Sequence, residues 1–422
     1  MKRKRFGRFV LPVVMTASLL AGCGIGAGDS QKNAEPATLK VMYWDERSFF
    51  DQYGMLFSAI HPEVEIEVVS TQSIRYEPGK DMDAEMLKLI DEKKPDVVML
   101  SPEQYTKMAD QGKLLELETK VEDKSFDKAG LIPGVLDYLK DLSGGGKLYG
   151  LVPSFYSQAI YYNKDLFNKH GVELPKDKMT WEDLFRLAAM FPTTGSKEER
   201  VYGLHMGYMG SDLYQLASMI GTTQNLNIVD ANFEQVTINS DAWKKVFETA
   251  LTAWKSGTLY TEERNFGNGP MNYEDYLLQE PLISGKVAMA INGTYMMDQI
   301  KQAQESTVKD KAIKNWDIVT MPVDPANPDA SPYVNFSNIF AISVNSSQSE
   351  TAWTFLNYIM SEDFARVTSK RQMGDLSVRS KYLADKDGHH FEAFSMLKPI
   401  QPAIYKNYQK LPSDFMNQFQ GM

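Results

Sequence analysis

Apolar residues recur along this chain at two spacings, and the elements follow from which spacing holds where. Residues 38–44 alternate as a strand does, and Tyr53, Leu56, Phe57 and Ile60 then fall on one helix face closed by His61-Pro62. Val64, Ile66 and Val68 alternate with Glu63, Glu65 and Glu67, a strand with one wet face. Met82, Met86 and Ile90 mark a helix that ends before Pro95. Residues 97–100 are apolar throughout, as in a strand buried on both faces. Ser101-Pro102-Glu103-Gln104 is a capping box with proline at the first helical position, and Gly112 closes that helix. The order β-α-β-α-β-α predicts an open, largely parallel sheet.

Residues 149–167 break the rhythm. Leu151-Val152 and residues 159–162 are short apolar strands around an aromatic-polar turn, residues 154–158. Asn163 and Asp165 open a helix as cap and first-turn acid. The stretch predicts a crossing between two lobes, with residues 151–153 as a hinge strand and Tyr156 facing the cleft. Beyond it, Thr180-Trp181-Glu182-Asp183 starts a helix, residues 201–206 read as a strand, and a further helix ends at Gly221. Trp243, Val246, Phe247, Ala250, Leu251 and Trp254 form an amphipathic stripe whose tryptophans are expected in the core. Strands are expected at 285–292, 317–322 and 339–344, with a helix over 351–360. These late strands must join sheets already built, which makes both domains discontinuous.

The ends change the picture. Lys2, Arg3, Lys4, Arg5 and Arg8 precede an apolar run from Phe9 to Ala21, too short to span a bilayer and laid out as a signal peptide, residues 1–22. Leu19-Leu20-Ala21-Gly22-Cys23 resembles a bacterial lipobox, which makes Cys23 the lipidated residue. Residues 23–37 are a Gly/Ala/Ser-rich tether. Cys23 is the sole cysteine, so the body has no disulfide and no thiol chemistry. Of 45 basic residues the leader holds five, leaving 40 against 55 acidic, a net charge of −15 that argues against nucleic acid. The body is too long for one core, so two domains are expected.

Candidate chemistry sits at strand ends, because ligands of open α/β sheets bind beyond the carboxyl ends of the strands. Those ends carry Trp44, Asp45 and Glu103. An indole over an apolar sugar face, with carboxylates accepting hydroxyl hydrogen bonds, suits a polyhydroxylated ligand. Trp44 reads equally as core and Asp45 as a turn cap. Gly144-Gly145-Gly146-Lys147 lacks the glycine and hydroxyl positions of a phosphate loop. The five histidines form no hydrolase or zinc motif, and residues 385–388 are half a calcium loop at best. No metal and no cofactor is expected.

Several runs together resemble a known family. Residues 40–45, 96–117, the Tyr-Asn-Lys-Asp-Leu run within 159–167, residues 180–184, the Gly-Lys-Val-Ala-Met run opening 285–295 and the turn at 375–379 are similar to family-1 extracellular solute-binding proteins. These are the maltose-binding-protein-like receptors of ABC importers. The resemblance implies an α/β, two-lobe periplasmic-binding-protein-like fold with hinge strands. The first lobe would comprise 38–150 with about 320–362, the second 151–319 with about 363–422. It implies a binding protein rather than an enzyme. A mono- or oligosaccharide would be held by Trp44, Asp45 and Glu103 from one lobe and Tyr156, Tyr208 and Tyr295 from the other. Asn338 and Arg379 would add to them. Each tyrosine reads alternatively as a packing residue with a wet hydroxyl. Expected partners are permease subunits and the bilayer through Cys23 alone, for a monomer on the extracytoplasmic face. The alternative is a cell-surface lipoprotein that binds or hydrolyses glycans, since Asp45 and Glu103 could also act as a glycosidase pair.

Overall fold

The chain builds two sheets and passes between them more than once. In the computed structural model the described residues are 37–74, 81–196, 199–207, 212–230, 234–261, 272–370, 374–383 and 387–402. Cys23, the leader and tether expectations, Tyr208 and the first half of the calcium-like loop lie outside them.

The first strands, β1 (Ala37–Tyr43), β2 (Val64–Ser70) and β3 (Val97–Leu100), pair in parallel as the alternation predicted. Helices Met82–Lys93 and Pro102–Asp110 lie between and after them, the second with the Ser101–Gln104 capping box formed. After β4 (Gly150–Leu151) the chain leaves this sheet, and β5 (Ser154–Asn163) begins the other. Residues 154–158 are therefore strand, not the expected turn. Their buried members, Phe155 and Ser157, alternate with half-buried Ser154, Tyr156 and Gln158, the period of two that a strand imposes.

The second sheet gathers β6 (Tyr202–His205), β7 (Leu259–Tyr260), β8 (Val287–Gly293) and β9 (Trp316–Thr320) around β5. Every residue of β8 is buried, and all but Asn292 are apolar or small. Strand β5 faces two interiors. Ala159 and Tyr161 join the core that continues into the first sheet, while Ile160 and Tyr162 join a second core with Trp181 and Trp243.

Next, β10 (Ala330–Ser331) stands outside both main sheets and β11 (Val334–Asn335) pairs with β5, so the chain is still on the second sheet beyond residue 320. Only β12 (Ile339–Ile342) returns, inserted antiparallel between β3 and β4. The return crossing is thus residues 336–338, later than the expected boundary near 320, with Phe336 fully buried within it. Helix Ser349–Ile359 packs Phe355 against Phe340, Phe49 and Phe57. The chain then comes back to β5 as β13 (Leu376–Ser377), and β14 (Lys398–Pro399) pairs with β10.

Two local readings change. Helix Leu213–Thr223 runs through Gly221 rather than stopping there, because the glycine lets the Trp243 indole lie against the helix where a Cβ would overlap it. On helix Asp241–Lys255 the buried line is Trp243, Val246, Ala250 and Ala253. Trp254 is half-buried and Leu251 exposed, so the fully buried stripe is narrower than the sequence suggested.

Candidate ligand site

At the end of β1, Trp44 projects into solvent at 57% exposure while its carbonyl accepts from Ser70 Oγ at 3.0 Å. Of the two readings of Trp44, core is excluded. Asp45 takes the cap role: it accepts from the Ser48 amide at 2.9 Å and the Ser48 hydroxyl at 2.6 Å. Those two bonds, the hydroxyl's foremost, hold its carboxyl below the usual carboxylate range. Glu103 is exposed in the first turn of helix Pro102–Asp110 and accepts from Ser101 Oγ at 2.8 Å. Its charge, after burial, helps push the Tyr138 phenol up to about 12. Tyr138 in turn packs 5.0 Å from Phe336, ring to ring, on the return crossing. Asn338, half-buried, sits at the end of that crossing.

On the other sheet, Tyr156 is half-buried opposite Asn335 of β11. Its ring covers Gly293, where any Cβ would overlap the phenol, so the glycine at the end of β8 is required by this close approach. Immediately beyond, Thr294 donates its hydroxyl hydrogen to the Gly374 carbonyl, and Tyr295, 37% exposed, opens helix Tyr295–Glu305. The late turn is thereby fastened to the end of β8. It is also fastened to the first crossing, because β13 pairs with Ser154 and Phe155 and the Val378 amide donates to the Pro153 carbonyl at 3.2 Å.

That turn delivers a different residue from the one expected. Arg379 is 4% exposed. Its Nε donates to the Met360 carbonyl at 2.5 Å and its Nη1 to the Asp127 carbonyl at 2.6 Å and carboxylate at 2.8 Å. These fixed partners make it a brace between three segments, in the wall of a cavity of about 740 Å3 that it shares with Asp127, Tyr358, Glu362 and Arg366. Arg379, expected in the site, is instead held by these partners away from the ligand-facing position the resemblance implied.

Asp375, four residues earlier, takes its place. It lines a second cavity of about 100 Å3 with Gln52, Tyr53, Pro153, Ser154 and Ser377. Although the residue is exposed, partial loss of hydration at its carboxyl raises its pKa above the usual range. Its charge reaches across both sheets, since it helps raise the phenols of Tyr43 (to about 12), Tyr53 and Tyr156, each after burial itself. Tyr43 also feels Asp45 and donates to Gln52 Oε1 at 3.1 Å. The strand-end carboxylate, the first crossing, Tyr156 and the late turn therefore meet in one electrostatic neighbourhood. The resemblance flagged the turn at 375–379 but pointed to Arg379 rather than Asp375, and Gln52 is a helical polar residue of ordinary type. Among the described residues no cluster of three or more His, Cys, Asp or Glu could hold a metal ion. None of their helices is long and apolar enough to cross a membrane.

Two α/β sheets exchanging crossing strands, with aromatic and carboxylate side chains at the junction, define a two-lobe binding protein. The chain belongs to the bacterial extracellular solute-binding proteins, whose family profile matches residues 34–365. A binding protein of Brucella abortus is 24% identical over 82% of this chain and 77% of its own length. Two solved structures share the fold. A sugar transporter from Rhizobium etli, in an open conformation, has TM-score 0.63 and 22% identity over 89% of this chain and 91% of its own. The sugar-binding protein MalE from Xanthomonas citri has TM-score 0.64 and 16% identity over 89% of each chain.

Proposed function

We propose that this protein captures a carbohydrate between its lobes and hands it to the permease of an ABC importer. The observation that carries the reading is the junction itself. In this reading the exposed Trp44 indole at the end of β1, the Tyr156 and Tyr295 rings of the second sheet and the Asp45 and Glu103 carboxylates together form the ligand surface of an extracellular solute-binding fold. The sugar-related neighbours named above support the same ligand class. Trp44, Asp45 and Glu103 belong to the first lobe; Tyr156, Tyr208 and Tyr295 to the second; and Asn338 lies between. The hinge runs through Val152 and Pro153 and through residues 336–338. A ligand touching both lobes binds the closed state better and so drives closure. The protein acts as a monomer without catalysis, anchored to the outer face of the membrane through lipid on Cys23, with residues 23–37 as tether.

The test is calorimetric titration of the full chain with a panel of neutral and charged glycans, repeated for Tyr156→Ala. A saccharide should bind, and Tyr156→Ala should weaken it about tenfold, the loss of an aromatic contact of about 1.4 kcal/mol, without unfolding the protein. Binding of a peptide or polyamine with no saccharide bound overturns the ligand class. Turnover of a glycan overturns the receptor role.

A further inference from the structure

The helix that begins with Tyr295 carries more than that ring. It leaves the carboxyl end of β8 and runs on as Tyr295–Glu305. Tyr295, Asp298, Gln299 and Gln302 recur at i, i+3, i+4 and i+7, so they share one face, and none of the four is buried. At the far end of this stripe a short helix, Tyr273–Leu278, packs against the first. It presents Tyr273, 55% exposed, with half-buried Tyr276 three residues on. The two phenol rings stack with centroids 6.0 Å apart and planes 21° from parallel. Tyr273 also donates its hydroxyl hydrogen to Gln302 Oε1, which ties the pair to the stripe. A ring needed only for packing would be covered. This one faces water and is nonetheless held in place from two sides.

We propose that this stripe is an outer subsite for an oligosaccharide, so that the captured solute is a chain of several sugar units rather than a single ring. The inference rests on the carbohydrate reading above and deepens it. Tyr295 and Gln302 lie seven residues apart, roughly 10 Å along the helix at about 1.5 Å per residue, a span that one sugar ring does not cover. A chain held at Tyr295 reaches Tyr273 only through intervening units. Those units pass the Asp298 carboxylate, which accepts from hydroxyls, and the Gln299 amide, which both donates and accepts. The Tyr273 ring is fixed before the ligand arrives, so it offers the last unit an apolar face at little cost in side-chain entropy.

The experiment titrates the full chain by calorimetry with malto-, cello- and xylo-oligosaccharides of one to five units, for the unchanged protein and Tyr273→Ala. In the series that binds, affinity should rise about fivefold from the disaccharide to the longest member, the gain expected of one added ring contact. Tyr273→Ala should remove that rise, so that the longer members bind as the disaccharide does. Its thermal midpoint should match that of the unchanged protein, because the ring it removes is exposed. Affinity independent of chain length, or a rise that survives Tyr273→Ala, overturns the outer subsite while leaving carbohydrate capture standing. Failure of every saccharide overturns both.

Discussion

Two cavities flank the same late turn, and they differ in what their charges still need. The larger, about 740 Å3, is walled by groups that answer one another: Arg379 with Asp127, Arg366 with Asp363, Lys381 with Glu362. The smaller, about 100 Å3, is lined by neutral and aromatic groups with Asp375 as the one carboxylate, and no salt bridge pairs it among the described residues. Volume is a poor guide to a binding site here. Room walled by paired charges is a gap between braces, whereas a smaller space beside a carboxylate that no described cation pairs can still accept hydrogen bonds from a ligand.

The comparison is easiest to break at Arg379. Arg379→Met should cost about 3 kcal/mol in denaturant unfolding, since it removes charge-assisted bonds worth about 1.5–3 kcal/mol each and leaves the Met360 carbonyl buried without them. Ligand affinity should stay unchanged; a loss of binding in a folded protein would return Arg379 to the site.

Gly293→Ala tests the packing beside the smaller cavity. The new methyl must displace the Tyr156 ring, an overpacking cost of about 1–3 kcal/mol. Combining it with Tyr156→Ala should recover most of that cost, and a double-mutant cycle showing additivity would mean the two do not touch.

Asp375→Asn should go the other way, with a gain at neutral pH that solvent at this exposed carboxylate limits to about 0.5 kcal/mol. Folding raises this carboxyl's pKa, so the folded state holds the proton better than the unfolded chain. Its stability is therefore greatest below the ordinary carboxylate pKa and declines as pH climbs through the folded value. The gain from the substitution must vanish in acid, which chemical denaturation across pH will show.

Lys381→Met completes the series. Its bond to Glu362 lies between exposed side chains, and the thermal midpoint should not move measurably.

Much of the scaffold was legible because it depends on nearest neighbours. Strand β3 announced itself by being apolar on both faces, and Ser101 and Thr180 by capping boxes that close within four residues. The crossing at 151–153 was legible as a change of pattern. Its continuation was not, because residues 154–157 are extended by pairing with β11 and β13, which arrive some 180 to 220 residues later. The end of the helix at Gly221 was misplaced for the same reason: Trp243, not the local sequence, decides what that glycine does. Aromatic candidates such as Trp44 and Tyr156 stood out by type. The contrast between Asp375 and Arg379 was invisible, since each charge is defined by partners on distant segments, Asp127 and Met360 for one and a ring of tyrosines for the other.

One arrangement also governs how the molecule comes into being. Strand β12 fills the place between β3 and β4, pairing Ile339 with Leu100 and Ile342 with Val97. Until residue 342 has been made, the apolar edge of β3 has no neighbour on that side. The amino-terminal half therefore waits, through roughly 240 residues of further synthesis, with an open strand edge of the kind that invites aggregation. Sheet closure of this range is a slow, non-local folding step. A fragment ending before β12 should remain partly open however well its own helices are capped.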